Sequence, residues 1–308
     1  MMLIVNALLP VLLVIAAGNV VARMGIITQE QWRGVEKVAY FLLFPAIIIH
    51  TVARTDFGAL PAVGMAVTLL CSILVTATLA LALRPLLQSR FRIDGPRFTS
   101  IFQGAVRWNT FVALALADEM IGPDGVALLA VAVVTMIPVL NVISVLVLAR
   151  FAHGTAPGAG KILLDLVRNP FIWSTATGLF LNFTGLPLPT FFMSTLKILG
   201  SAALPIGIVC VGAGLNLGAL RRPGPSLTTS AILKLGVMPL VAFTIAGLAG
   251  IEDKALVAVI IAMSVPTASG SYLLARQMGG DSKLMAEILT FETVLAAITM
   301  PIVFLLAF

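Results

Sequence analysis

The chain has 308 residues, 60% of them hydrophobic and only 10% charged, against roughly 45–50% apolar and 25% charged in soluble domains. That balance excludes a soluble enzyme or a sizeable soluble domain; apolar runs of bilayer-spanning length recur, so the fold is all-α and integral to a membrane. The net charge of +6 does not argue for nucleic acid, because basic residues collect in the cytoplasmic loops of membrane proteins.

In chain order, hydropathy predicts ten membrane helices, spans 1 to 10, over 3–22, 35–53, 60–83, 98–117, 126–149, 168–184, 191–215, 226–249, 254–275 and 284–307. Span 1, MMLIVNALLPVLLVIAAG, has no basic leader and reads as a membrane helix, not a cleaved signal. The loops after spans 1, 3, 5, 7 and 9 hold most of the 19 basic residues, including Arg23, Arg33, Lys37, Arg84, Arg90, Arg150, Arg221 and Arg276. Those loops are therefore cytoplasmic, and both termini are outside. Cys71 and Cys210 lie inside apolar runs, which predicts buried thiols and no disulfide. No histidine, cysteine or carboxylate cluster has metal-ligand spacing, and no cofactor is expected.

The chain repeats itself at an offset of 160: Pro10 falls on Pro170, Gly18 on Gly178, Gly25 on Gly185, Lys37 on Lys197 and Pro45 on Pro205. Each half then has five spans, and an odd number forces the second half to sit upside down. This predicts an inverted repeat, 1–152 and 162–308, joined by a Gly/Ala/Pro hinge at 153–161. In such folds the substrate sits at the midplane on broken helices in corresponding places of the two halves. Span 9 carries the break signal, with Pro266 removing a backbone donor, Gly270 loosening the next turn, and Thr267, Ser269 and Ser271 supplying hydroxyls. Span 4 has no proline, but Arg107, Trp108, Asn109 and Thr110 interrupt it at matching depth.

At these residues the chain resembles the auxin efflux carrier family, in its bacterial branch of proposed malonate and malate carriers, related to plant auxin exporters. The resemblance rests on R-x-N-T at 107–110, GPDG at 122–125, the proline-broken span 9 followed by LLARQMGGDSKL at 273–284, and the prolines at 45 and 205. It implies a scaffold of spans 1, 2, 6 and 7 and a transport domain of spans 3–5 and 8–10, an architecture similar to that of the bile-acid transporters. Spans 4 and 9 would cross in their unwound middles. It further implies that Asn109 meets a substrate carboxylate, that Pro266 is the crossover proline, and that a homodimer forms through the scaffold. The chain departs from the family in having Phe111-Val112-Ala113-Leu114 after the asparagine, where Gly and Pro are frequent.

An arginine at membrane depth costs at least ~2.5–3.5 kcal/mol, so Arg107 must face a cavity or a partner. Either it offers paired hydrogen bonds to a substrate carboxylate, or it pairs with Glu292, the one deep acidic residue. Asn109 and Thr110 either contact substrate or satisfy a broken backbone; Trp108 reads as packing, and Asn141 as helix–helix bonding. Lys234 in span 8 either snorkels to the interface or takes part in coupling. Glu292, a buried carboxylate able to take a proton, reads as a coupling group or as one half of an ion pair with Lys234.

The expected function is a secondary transporter of a small organic anion, a mono- or dicarboxylate, working by alternating access in the plasma membrane, a bacterial inner membrane. Its site residues would be Asn109, Arg107, Thr110, Pro266, Thr267 and Ser269, and its partners the anion and the lipid bilayer. No G-x-x-x-x-G-K-[ST] is present, so the driving force would be the substrate gradient, a proton, Na⁺ or the membrane potential. The competing readings are a Na⁺-coupled carrier like the bile-acid symporters, which needs carboxylates and amides behind the crossover, and a non-transporting membrane sensor. Neither histidine is at midplane depth and no G-x-S-x-G occurs, which argues against an enzyme.

Overall fold

The computed structural model describes residues 2–54, 61–152, 160, 164, 167–168, 170–186, 188–215, 217–218, 223–268 and 270–308. The described residues are helical, with no strand among them. The helices are α1 (Met2–Arg23), α2 (Gln29–Val52), α3 (Ala62–Phe91), α4 (Gly95–Val106), α5 (Thr110–Ile121) and α6 (Pro123–Phe151). They continue with α7 (Pro170–Thr184), α8 (Thr190–Ala213), α9 (Pro225–Leu248), α10 (Asp253–Ser264), α11 (Gly270–Gln277) and α12 (Ser282–Ala307). Six of them, α2, α3, α6, α8, α9 and α12, are long and apolar enough to cross a bilayer unaided. Spans 4 and 9 fail that criterion because each is divided, into α4 and α5 and into α10 and α11. The predicted hinge at 153–161 lies, apart from Gly160, outside the described residues.

Two helices start or end well away from their predicted limits. Predicted span 2 began at 35, yet α2 begins at Gln29. The Thr28 hydroxyl accepts from the Gln31 N–H (3.3 Å) and the Gln31 side chain accepts from the Thr28 N–H (2.8 Å), a reciprocal cap that starts the helix early. α3 runs past the predicted 83 to Phe91, carrying Arg84 and Arg90 beyond the apolar stretch. The Arg84 guanidinium lies 4.1 Å from the centre of the Phe151 ring and ties that extension to α6.

The packing of α1, α2, α7 and α8 follows the 160-residue repeat. α1 packs on the second half of α8, and α7 on the second half of α2. A Cβ on Gly18 would sit 2.2 Å from the Val209 carbonyl oxygen, and one on Gly178 would sit 2.7 Å from Val52 and 3.5 Å from the Ile49 Cα. Gly18 and Gly178 are 160 apart, and so are Ile49 and Val209. Glycine lets both helix pairs come into backbone contact. The carbonyls freed at the helix ends are taken by two asparagines. Asn19 Nδ2 donates to the Gly212 and Leu215 carbonyls at 3.1 and 3.0 Å. Asn182 Nδ2 donates to those of Val52 and Ala53 at 3.1 and 3.2 Å. Gly25 and Gly185, another pair 160 apart, both turn the chain with positive φ, 70° and 59°.

The remaining helices pack mainly among themselves, α3, α4, α6, α9, α10 and α12 burying faces that include Leu69, Ile73, Phe98, Phe102, Val133, Met136, Ile260 and Ile288. An exposed ion pair of Lys254 and Asp124 (2.6 Å) joins the starts of α10 and α6. The two divided helices meet inside this group.

Candidate functional site

α4 stops at Val106 with no proline at the break. Arg107 leaves the helix in extended conformation (φ −77°, ψ 163°), and Asn109 (φ −87°, ψ 96°) starts α5 by accepting the Val112 N–H on its own Oδ1 at 3.3 Å. In the partner break, Val265 is likewise extended (φ −66°, ψ 151°), and Pro266 contributes no donor. The two breaks hold each other, because the Asn109 N–H donates to the Pro266 carbonyl at 2.8 Å. The positions also match, since Arg107 and Thr267 are 160 apart.

Backbone groups opened at membrane depth need partners, and the side chains behind the crossover supply them. The Thr267 N–H donates to Glu292 Oε2 (3.1 Å), and the Thr267 hydroxyl to the Gln103 carbonyl (3.2 Å). Glu292 Oε1 accepts from the Ser230 hydroxyl at 2.6 Å. Glu292, Thr267 and Ser230 are fully buried. Gly104 makes room for them: a Cβ there would fall 2.0 Å from Ser230 Oγ and 3.2 Å from Glu292 Oε1. Lys234 is also fully buried, on a wide i→i+5 turn of α9 (Ile232–Val237), and its Nζ donates to Met238 Sδ at 3.1 Å. Among the described residues no salt bridge joins it to Glu292.

In front of the crossover lies a cavity of about 580 Å³. Arg107, Trp108, Asn109 and Thr110 form its end wall, with Ala268 and Gly270 of the partner break beside them. Two buried donors there have no hydrogen-bond partner, Arg107 Nη1 and Asn109 Nδ2. α5 adds its N-terminal end, where helix N–H groups and the backbone dipole favour negative charge. An aromatic group flanks them: Phe44 stacks on Phe111 (4.5 Å, 9°), Phe171 tilts against both, and Tyr40 meets Phe171 edge-on at 5.3 Å. The mouth carries exposed Arg33, Lys37 and Arg276, with half-buried Glu36 and Tyr272.

Of the residues singled out in the sequence, Arg107, Asn109 and Thr110 therefore line the cavity. Thr267 and Pro266 do not. Thr267 braces the break from behind, and Pro266 lines a separate small crevice. Ser269 lies outside the described residues. Arg107 and Glu292 are not paired, and Asn141, read as a helix–helix contact, lines the cavity. The sequence reading missed the α2 wall. Arg33, Glu36, Lys37 and Tyr40 are spaced by three and four and so share one helical face, but Arg33 and Lys37 read as loop cations and Glu36 and Tyr40 as part of span 2. It also missed Gln103, whose buried amide has neither atom partnered, and Ser230, one turn before Lys234.

Comparison with known proteins agrees with this picture in outline. Residues 158–304 match the model of a family described as membrane transport protein. The chain is 22% identical over 299 residues to an uncharacterized transporter of Methanothermobacter thermautotrophicus, covering 96% of each. It is likewise 22% identical over 299 residues to one of Methanocaldococcus jannaschii, covering 94% of each. Together with the apolar helices, these similarities support a helical membrane transporter.

Proposed function

We propose that this membrane protein is a secondary transporter of small organic anions belonging to the auxin efflux carrier type, built as two inverted five-span repeats. The scaffold would be α1, α2, α7 and α8, and the moving domain α3–α6 and α9–α12. What supports the repeat is the contact that recurs at 160 residues, Gly18 on Val209 and Gly178 on Ile49, together with an asparagine that caps a helix end in each half and the two breaks joined by Asn109 and Pro266. The basic loops would face the cytoplasm of a bacterial cell, with both termini outside.

One observation carries the choice of an anion. Two buried donors, one of them a guanidinium, are unpartnered and lie at a helix N-terminus on the wall of a cavity large enough for a small acid. Leaving such donors unpaired costs roughly 1–3 kcal/mol each, so a ligand with acceptor oxygens completes the site. A carboxylate would take Asn109 Nδ2 and Arg107 Nη1, and the aromatic group would receive the apolar part of the acid. The carrier would alternate by moving the crossover past α2 and α7.

A Na⁺-coupled version has one observation in its favour: Glu292, Ser230 and the unpaired Gln103 amide gather oxygens behind the crossover. Glu292 is the one carboxylate among them, and both its oxygens are already taken by Ser230 and Thr267, which favours a carrier without Na⁺. Proteoliposome uptake of labelled malonate, malate and indole-3-acetate, with and without Na⁺ and a proton gradient, tests both. Saturable flux of one acid, lost in Asn109→Ala protein that still folds, is the expected result. Flux untouched by that substitution would remove the site from the crossover, and strict Na⁺ dependence would favour the second version.

A further inference from the structure

Away from the crossover, two arginines share one aromatic ring. The Arg84 guanidinium lies 4.1 Å from the centre of the Phe151 ring and 5.8 Å from that of Phe98, and the Arg150 guanidinium lies 5.3 Å from the Phe151 ring. The two rings meet edge to face at 5.6 Å. α4 starts against the same place, since a side chain on Gly95 would run into the Phe151 carbonyl. The ends of α3 and α6 and the start of α4 thus form one corner. Arg90, Arg92 and Arg97, at the same helix ends, are exposed.

Among the described residues, no carboxylate lies within salt-bridge distance of any of these five arginines. The nearest acid in sequence, Asp94, caps α4 by accepting the Arg97 N–H on Oδ1 at 3.0 Å. The Phe151 ring attracts both guanidiniums, but two like charges so close repel each other and gain from a shared anion. Depth says which anion. Residues 62–83 of α3 and 125–149 of α6 carry no charge, and at ~1.5 Å per residue either stretch fills the ~30 Å hydrocarbon core. Arg84 and Arg150 are the first charges beyond it and stand where lipid phosphates lie. The exposed sides of the helices lead to the same level. On α6, Val142, Leu146 and Arg150 are all exposed and follow one another at a spacing of four; on α3, exposed Leu79 and Leu86 are followed on the same face by Arg90.

We propose that this corner binds the headgroup of an anionic phospholipid, its phosphate between Arg84 and Arg150 and its acyl chains along the exposed valine and leucine stripes. The proposal needs only a helical membrane protein and is independent of what the chain transports. Guanidinium suits the task, because its planar fork donates paired hydrogen bonds to phosphate oxygens. Basic clusters beside a membrane helix attract anionic lipid in general. What this corner adds is a pair of arginines placed on one ring, and apolar stripes that seat the chains of the same lipid. A lipid bound there would hold α3, α4 and α6 at a set depth in its leaflet, and α4 leads directly into the crossover.

Lipid competition tests this on the purified full chain. Phosphatidylglycerol and phosphatidylcholine with the same acyl chains are offered together in a neutral detergent, and bound lipid is counted by native mass spectrometry. The wild type should prefer phosphatidylglycerol. Arg150→Gln should lower that preference roughly fivefold, and Arg84→Gln with Arg150→Gln roughly 25-fold. Arg23→Gln with Arg168→Gln removes the same charge from exposed arginines outside the corner and should change the preference by less than about twofold. Protein in a single size-exclusion peak counts as folded. Should the double variant fail that criterion, Arg150→Gln, which alters one exposed side chain, decides alone. No preference in the wild type overturns the proposal. So does an equal loss in the two double variants, which would mean diffuse attraction to the whole basic surface. Displacement of the lipid by excess inorganic phosphate at constant ionic strength would mean a site for a free anion, and overturns it too. None of these readouts involves flux, so their failure is distinct from a failure of the transport reading.

Discussion

Asn109 has two polar atoms in different situations: Oδ1 caps α5, and Nδ2 is buried without a partner in a residue that lines the cavity. Asn109→Asp keeps the cap and places a negative charge at a helix N-terminus, where it is tolerated or favourable. It also turns the donor into an acceptor and sets a carboxylate against an anionic ligand. Thermal stability should therefore hold, while affinity for the acid falls by roughly 10–100-fold, the loss of a charge-assisted hydrogen bond. Asn109→Ala should lose both, with a further ~0.5–2 kcal/mol from the missing cap. Stability assays in detergent beside ligand binding separate the two effects; equal binding by Asn109→Asp and wild type would place the ligand elsewhere. Glu292 invites a second comparison. Glu292→Ala strips partners from the Ser230 hydroxyl and the Thr267 N–H, both fully buried, at roughly 1–3 kcal/mol each. Glu292→Gln keeps an acceptor for one of them and should fold better than the alanine variant. A smaller loss for Glu292→Ala than for Glu292→Gln would mean that the bonds behind the crossover do not stabilise it.

Helices show most clearly what could be read from the sequence. Pro266 and Gly270 announced the break of span 9, because proline cannot donate the bond that continues a helix. The break of span 4 was legible only as an Arg-Trp-Asn-Thr cluster in an apolar run. Its cause, a backbone bond to Pro266 of the other half, is a tertiary contact that no local pattern contains. The 160-residue spacing of Gly18 and Gly178 was legible, yet which helix each glycine touches was not. The start of α2 was written in Thr28 and Gln31 and missed under the weight of hydropathy, so the cationic wall of the cavity was missed with it. Close helix approach gives a prediction at this scale. In Gly212→Ala the new methyl would fall 1.9 Å from the Ile15 carbonyl oxygen. Backbone cannot yield as a side chain would, so α1 and α8 must separate, at a cost of roughly 1–3 kcal/mol or more. Gly236→Ala, on the exposed side of α9 with nothing within 4 Å of the added carbon, should be neutral or up to ~1 kcal/mol stabilising. Thermal unfolding in detergent that ranks the two the other way would contradict the close packing of α1 on α8.

Over the whole molecule, the mouth of the cavity gathers positive charge on one side of the crossover. That mouth carries Arg33, Lys37 and Arg276 against Glu36, with Arg107 deeper, while no charged residue is among the described residues that line the small crevice at Pro266. Such a field concentrates anions at one face and speeds their capture by about 10–10³. It cannot by itself drive net movement. Without an imposed ion gradient or membrane potential, a carrier at equilibrium must pass equal flux both ways. The ratio of maximal rate to half-saturation is then the same from either face. The basic mouth must therefore show itself as a lower half-saturation concentration on its own side, balanced by a lower maximal rate from that side. Measured with sided reconstitution, the half-saturation values should differ by roughly tenfold. Raising the salt from about 0.1 M to 1 M shortens the screening length from ~10 Å to ~3 Å and should shrink the difference. Replacing Arg33 and Lys37 by glutamine should raise half-saturation from the basic face and leave the opposite face nearly unchanged. Equal values on both faces at low salt would mean that the cations of α2 face the solvent without shaping the path of the acid, and that capture is governed by Arg107 and Asn109 alone.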